Sequence, residues 1–472
     1  MGLVVITLGA VTHRLEAAVS RSMRTIVITV AAGAALLTPG AAQALPYDEW
    51  GTGDAYYSPN ITTIQAASPA GLRTFLSTDQ HQYTEQSFVW GGPLISADGG
   101  TSVLAVEMQR DDTRVAPFGI LAEGVTAGVL YNDGDGYAAG GFSGLAELQL
   151  PVNFTRLPWS VRATNPQASL SQPEFVDVRA VRGKVGAKGT IYEITASMVN
   201  LAQTAPLFER LDIYVRAKDT TGVMQWGYGP SGFSPMWIFP PQRAAINAEY
   251  GGSVVDYLQG TDDSMWSQGQ YYFTSPMLKV QDFVVQKDGY VVDHGTAGWL
   301  WTDNVVRSFS PQAQEVVAGG GGIGWNEFSV AIPDTGEAFK IGYTMSDDTG
   351  LGVGTFPYAT LVSPKGPKAP NGALSGSMFW GIDDIHMTPV KNSLWTDPIS
   401  GNSYYLTWKV LLDANPRGKQ VKFTIKQAVP NQEAVIVGRS VFEGVTSVKG
   451  TIGNRKVTGW AFQEFQQPGK GR

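Results

Sequence analysis

Residues 271–306 read YYFTSPMLKVQDFVVQKDGYVVDHGTAGWLWTDNVV, and residues 324–344 read GWNEFSVAIPDTGEAFKIGYT. Both stretches contain short runs rich in β-branched and aromatic residues, separated by Asp-Gly and Thr-Gly pairs that are typical of tight turns. They predict successive antiparallel strands joined by hairpins. Large aromatic side chains, among them Trp299, Trp301 and Trp325, are expected on one face, close to acidic residues able to do acid–base chemistry. We therefore expect an apolar cavity with few polar groups, suited to an apolar substrate.

The composition favours the same fold class. The chain has 472 residues, of which 56 are Gly, 11% are aromatic and only 16% are charged. These values are typical of a turn-rich all-β protein and not of a helical bundle or a disordered chain. A net charge of −7 and the lack of clustered Lys and Arg exclude a nucleic-acid-binding face. Since the chain has no Cys, its stability must come from its core without disulfides.

Strands are expected along nearly the whole chain. Alternation of polar and apolar residues, with the period of two that marks a half-buried strand, occurs at 190–199, 208–218 and 420–425. Helical periodicity is weak throughout. We predict two β-rich domains, at 45–305 and 306–472.

The N-terminus carries a targeting signal. Residues 23–44 combine an Arg, an apolar run, a Pro-Gly break and an Ala-Gln-Ala cleavage pattern, as in a secretory signal peptide. Residues 1–22 precede this signal and are given no structural role. We expect the product in the secretory lumen or outside the cell, without stable membrane insertion. Asn60 and Asn153 lie in Asn-X-Thr patterns and are predicted glycosylation sites.

Six motifs in a fixed order carry a family resemblance. They are WGGPL at 90–94, YYFTSP at 271–276, GWLWTD at 298–303, GWNEF at 324–328, WTDPISG at 395–401 and FEG at 442–444. In order and spacing the chain resembles the two-domain lipocalin-like family of carotenoid and kievitone hydratases, which also contains fungal Diels-Alderases of polyketide-peptide pathways. The resemblance covers roughly residues 80–465. It implies two antiparallel lipocalin-like β-barrel or β-sandwich domains packed side by side, with an apolar pocket at or near their interface.

Candidate site residues follow from the motifs and the aromatic strands. Asp303, Glu327 and Glu443 are the candidate catalytic acids, and Asp303 lies two positions after Trp301, so both side chains share a face of the strand. The candidate substrate-binding residues are Trp90, Tyr272, Trp301, Trp325, Tyr343, Trp380 and His386. The same aromatics also suit ordinary core packing, Glu443 a structural hydrogen bond, and His386 a surface position.

Several functions remain open at this point. Intramolecular cycloaddition of a polyene needs only a shaped aromatic wall and one hydrogen-bond donor, and it is the favoured function. Hydration or dehydration of an alkene, or a related isomerisation, needs a carboxylic acid of raised pKa beside the double bond. A non-catalytic lipophile-binding lipocalin and a glycoside hydrolase are also compatible with the sequence. We expect a hydrophobic small-molecule partner, no metal, no cofactor, and a monomer or weak homodimer.

Overall fold

The computed structural model describes most of the chain between residues 85 and 466. The described residues are 85–111, 124–134, 137–144, 147–149, 157–169, 171–183, 188–202, 205–206, 209–222, 224–226, 248–249, 270–307, 324–345, 356–362, 377–380, 384–414, 419–436 and 439–466. The predicted signal peptide at 23–44, residues 1–22 and the two predicted glycosylation sites, Asn60 and Asn153, lie outside them.

Thirteen strands form the first sheet. They are β1 Glu85–Ile95, β2 Thr101–Asp111, β3 Gly124–Asn132, β4 Tyr137–Gly144, β5 Glu147–Gln149, β6 Trp159–Asn165, β7 Glu174–Arg182, β8 Ile191–Val199, β9 Arg210–Asp219, β10 Met224–Trp226, β11 Gln270–Lys287, β12 Tyr290–Gly295 and β13 Ala297–Arg307. Their order is β4-β3-β2-β1-β13-β11-β9-β8-β7-β6-β5, with β10 and β12 paired to β11. Strand β13 is thus held between β1 and β11, far from both sheet edges.

The second sheet has ten strands. They are β14 Gly324–Ile332, β15 Glu337–Met345, β16 Phe356–Val362, β17 Ser377–Phe379, β18 Ile385–Pro389, β21 Thr407–Leu412, β22 Val421–Gln427, β23 Glu433–Ile436, β24 Arg439–Ile452 and β25 Arg455–Gln466. Their order is β17-β16-β15-β14-β25-β24-β22-β21-β18, and β23 pairs with β24. A 3-10 helix at Lys391–Ser393 precedes a small separate hairpin of β19 Leu394–Thr396 and β20 Ser403–Tyr405.

Local sequence explains these elements. In β9, side chains at alternate positions from Leu211 to Ala217 are buried, as the period of two predicts. Between β11 and β12, Asp288 and Gly289 both have positive φ, 49° and 79°, as a tight hairpin turn requires. The two curled antiparallel sheets lie side by side and confirm the predicted all-β fold of two lipocalin-like domains.

Each sheet covers its own core. The strands of the first sheet end at Arg307 and those of the second begin at Gly324. The domain ranges 45–305 and 306–472 stay a prediction. No helix among the described residues is long and apolar enough to cross a membrane.

The two sheets also pack on each other. The second core is lined by one face of the second sheet, which we call its inner face, with Phe328, Phe339 and Ile341 among the buried residues. Trp460 and Phe462 lie on the opposite face and belong to the core cluster of the first sheet. We call this opposite face of the second sheet the interface face. Gly91 of β1 touches it so closely that an added Cβ would lie 2.4 Å from Phe462 Cζ.

Candidate functional site

A buried lysine joins the two sheets. Lys340 of β15 is 2% exposed, and its Nζ lies 2.7 Å from Asp303 Oδ2 of the first sheet and 2.5 Å from Glu327 Oε1 of the second. The same Nζ donates to Ser329 Oγ at 2.9 Å. Lys340 therefore contacts two carboxyl groups from strands that lie in different sheets.

Asp303 is fixed at both of its carboxyl oxygens. Its Oδ2 accepts from Lys340 and its Oδ1 accepts from Trp301 Nε1 at 2.8 Å. Trp301 is almost fully buried, and its ring centre lies 5.9 Å from Lys340 Nζ. The sequence predicts Asp303 and Trp301 on one face, and in the structure they do share it.

Three glutamates lie side by side on the interface face. Glu327 of β14 is directly opposite Glu464 of β25, and Glu464 is directly opposite Glu443 of β24. Residues opposite each other in an antiparallel pair have Cβ atoms about 5 Å apart and point to the same face. We call Glu327, Glu464 and Glu443 the carboxyl row. Like charges so close together destabilise one another, which favours protonation of some members.

The electrostatics divide the row into two ends. Burial alone would lower the pKa of Lys340, but the charges of Asp303 and Glu327 outweigh it and raise the pKa above the ordinary value. Burial, followed by the charge of Glu327, raises the pKa of Glu464 to about 8. Burial, followed by the charge of Glu464, raises the pKa of Glu443 well above its ordinary value. The end near Lys340 therefore favours negative charge, and the end near Glu464 and Glu443 favours protonated carboxyl groups.

Glu443 has one carboxyl oxygen without a hydrogen-bond partner among the described residues. This oxygen, Oε2, is buried. The residue as a whole keeps partial exposure, and Glu107 of β2, whose charge also raises the pKa of Glu443, is exposed. One end of the row therefore lies at the buried ion pair of Lys340. The other end lies at the partly exposed Glu443, whose Oε2 has no hydrogen-bond partner among the described residues.

The structure brings Trp325 to this site as well. Trp325 is half-buried on β14, and its Nε1 donates to Glu464 Oε1 at 2.8 Å. The candidates Asp303, Glu327, Glu443, Trp301 and Trp325 are therefore close together. Their catalytic and binding roles remain predictions.

Trp90 lies away from this group. It is opposite Thr302, whereas Trp301 is opposite Gly91, so the two tryptophans point to opposite faces of the first sheet. Trp90 stacks on Phe88 with 6.3 Å between ring centres and belongs to the first core. Its predicted role in substrate binding stays a prediction.

Three of the remaining candidates lie elsewhere, and the side chain of the fourth is outside the described part of the structure. Tyr343 and Trp380 are buried in the second core, where Tyr343 accepts from Asn326 Nδ2 at 3.3 Å and Trp380 Nε1 donates to the Asp413 carbonyl at 2.8 Å. His386 is exposed and has Asp413 Oδ2 3.1 Å from its Nε2. The backbone of Tyr272 lies in β11, opposite Val305, and its side chain is outside the described part of the structure.

Sequence reasoning missed Lys340 and Glu464. A signal for Lys340 was available, because it interrupts the apolar strand AFKIGYT and faces Ser329 across the predicted Asp-Thr-Gly turn. Glu464 gave no local signal, since its place beside Glu327 depends on pairing of two strands 137 positions apart. Among the described residues, no group of three or more His, Cys, Asp or Glu side chains is arranged to hold a metal ion.

Comparisons with known proteins bear on the fold. No family model matches the chain, and no curated protein matches it. A candidate AttH from Nitrosomonas europaea superposes with a TM-score of 0.50 at 14% identity, covering 85% of this chain and 96% of that one. Kievitone hydratase from Nectria haematococca gives 0.45 at 13% identity, covering 83% and 91%. CghA with Sch210972 gives 0.43 at 11% identity, covering 82% and 90%. At the level of fold, the resemblance that the sequence motifs indicate is confirmed.

Proposed function

We propose that this chain is an enzyme that donates a proton to an apolar, unsaturated small molecule, as in the hydration or dehydration of an alkene. The observation that supports this proposal best is the carboxyl row, in which burial and the neighbouring carboxyl groups raise the pKa of Glu443 well above its ordinary value and its Oε2 is buried and unpartnered among the described residues. A carboxylic acid held neutral by its surroundings is the group that general acid catalysis at neutral pH requires.

The proposed step conserves atoms and charge. The Glu443 proton moves to one alkene carbon, and a water oxygen bonds to the other carbon. The surplus proton of that water then goes to the ionised carboxylate of Glu443, which restores the acid. Dehydration follows the same path in reverse. Glu443 therefore acts first as the acid and then, once ionised, as the base that takes up the proton of the water.

Cycloaddition of a polyketide or polyketide-peptide polyene is the second candidate. A neutral Glu443 can also donate a hydrogen bond to a substrate carbonyl and keep its proton, and Trp325, which donates to the neighbouring Glu464, offers an aromatic surface on the same face. The same site supports this reaction without any proton transfer to carbon. The two candidates therefore differ in whether solvent atoms enter the product.

The test uses substrates of both kinds in isotopic water. Linear polyenes and isoprenoid alkenes are incubated with the protein in ²H₂O and in H₂¹⁸O, and the products are analysed by mass spectrometry. Proton transfer predicts a product that carries solvent deuterium on carbon and, for hydration, solvent oxygen. Cycloaddition predicts an isomer of the substrate that carries neither label.

Glu443→Gln provides the residue-level test. It keeps the size of the side chain and removes the acid, so we expect a loss of about 100-fold or more in rate. The control is Asp282→Asn, which changes an exposed carboxyl on β11 and should leave the rate unchanged. A Glu443→Gln protein as active as the wild type would refute the proposed role of Glu443.

A further inference from the structure

Three acceptor atoms surround the Nζ of Lys340. Its Nζ has Asp303 Oδ2 at 2.7 Å, Glu327 Oε1 at 2.5 Å and Ser329 Oγ at 2.9 Å. An ammonium group has three N–H donors, whereas a neutral amine has only two. The contacts therefore indicate a charged ammonium. A nucleophilic role, which needs the free amine, does not fit this geometry.

Asp303 is the counterpart of this ammonium. Both of its oxygens accept, one from Lys340 and one from the indole N–H of Trp301, which can only donate. Accepting hydrogen bonds at both oxygens, one of them from an ammonium group, favours the ionised carboxylate. As a catalytic acid, Asp303 would have to donate a proton. An ionised Asp303 does not suit that role. The proton donor must come from another member of the site.

We propose that Lys340 is a positioning residue that fixes the negative charge of the site on Asp303 and Glu327 and so leaves the exchangeable proton on Glu464 and Glu443. This inference rests on the proposed function and adds to it the residue that decides which carboxyl group is the acid. Lys340 acts at a distance, since it contacts the inner end of the row and Glu443 lies two strands further along the sheet. It would keep the proton at the partly exposed end of the row.

Charged groups from six strands face one another here. Among the described residues they are Glu107 of β2, Asp303 of β13, Glu327 of β14, Lys340 of β15, Glu443 of β24 and Glu464 of β25. Lys340 is the single cation of this set. Its removal leaves buried carboxylates without a counter-charge, so one of them must take up a proton.

The net charge of the folded protein tests this directly. Lys340→Met and Lys340→Arg are compared with the wild type by capillary electrophoresis near neutral pH. We expect Lys340→Met to show the same net charge as the wild type, because a proton taken up by a carboxylate replaces the lost ammonium. The control Lys449→Met removes an exposed lysine and should become more negative by one full charge. A Lys340→Met protein that is also one charge more negative would overturn the proposal.

The indole signals of Trp301 and Trp325 give a second readout that works in the wild type. Their indole N–H groups donate to Asp303 and Glu464, and Trp301→Phe and Trp325→Phe assign the two signals in ¹⁵N NMR spectra. The Trp325 signal should titrate near the Glu464 pKa of about 8, and the Trp301 signal should stay constant across that range. Lys340→Arg should preserve this pattern.

A wild-type Trp301 signal that titrates together with Trp325 would overturn the proposal even if Lys340→Met does not fold. Neither readout needs a substrate. Failure of the proposed function would be seen separately, as an active Glu443→Gln protein.

Discussion

Replacing Glu464 by Gln should remove a specific pH dependence of stability. The folded-state pKa of about 8 is 3.5 above the ordinary value of 4.5. At ~1.36 kcal/mol per pH unit, the difference in proton binding between folded and unfolded chains is at most about 5 kcal/mol. Because Glu464 keeps partial exposure and titrates together with its neighbours, we expect about 2 kcal/mol.

The sign follows from which state holds the proton. The folded protein keeps the Glu464 proton at pH values where the unfolded chain has already lost it. Its contribution is therefore fully present below the unfolded pKa of 4.5 and is lost as the pH rises through about 8. Gln is neutral at every pH and retains an oxygen that can accept from Trp325 Nε1.

Thermal unfolding from acidic to mildly alkaline pH is the assay. The melting temperature of Glu464→Gln relative to the wild type should rise by about 2 °C between the two ends of that range, given the unfolding entropy of a chain of this size. Asp282→Asn, at an exposed position, should run parallel to the wild type. Parallel curves for Glu464→Gln and the wild type would show that Glu464 does not hold a proton in the folded state.

Two further predictions concern the packing of the sheets on each other and a buried hydrogen bond in the second core. Gly91→Ala places a methyl group 2.4 Å from the Phe462 ring and should lower the free energy of unfolding in urea by about 1–3 kcal/mol. The control Gly128→Ala, whose added Cβ would have its nearest neighbour at 3.5 Å, should be close to neutral. Equal effects of the two substitutions would contradict the tight contact between the sheets. Glu433→Ala removes the acceptor of the Tyr404 hydroxyl, 2.6 Å away, and of the Asn402 amide and the Ser400 hydroxyl. It should cost about 1–3 kcal/mol or more by leaving these groups unpaired, and a stability equal to the wild type would be inconsistent with these bonds.

The fold was largely predictable because its local signals agree with one another. The turn at Asp288-Gly289 and the alternation in β9 are each set by neighbouring residues, and the structure has both. Strand partners far apart in the chain were not predictable in this way. Pairing of β14 with β25 is what puts Glu464 beside Glu327, and no local pattern indicates it.

The site was predictable only in part, for the same physical reason. Asp303 and Trp301 share a face because they are two positions apart on one strand, and this follows from the sequence alone. Trp90 was assigned to the substrate wall from its motif, but the register of β1 against β13 turns it to the opposite face from Trp301. A shift of one residue in register reverses every side chain, so motif membership cannot decide which face a residue occupies.

The central claim is that the interface face holds a protonated carboxyl group at neutral pH, and infrared spectroscopy measures this directly. We predict a carboxylic acid C=O band for the wild type near neutral pH, which shifts in ²H₂O and is reduced or lost in Glu443→Gln. A wild-type spectrum near neutral pH without any such band, showing only ionised carboxylates, would contradict the account.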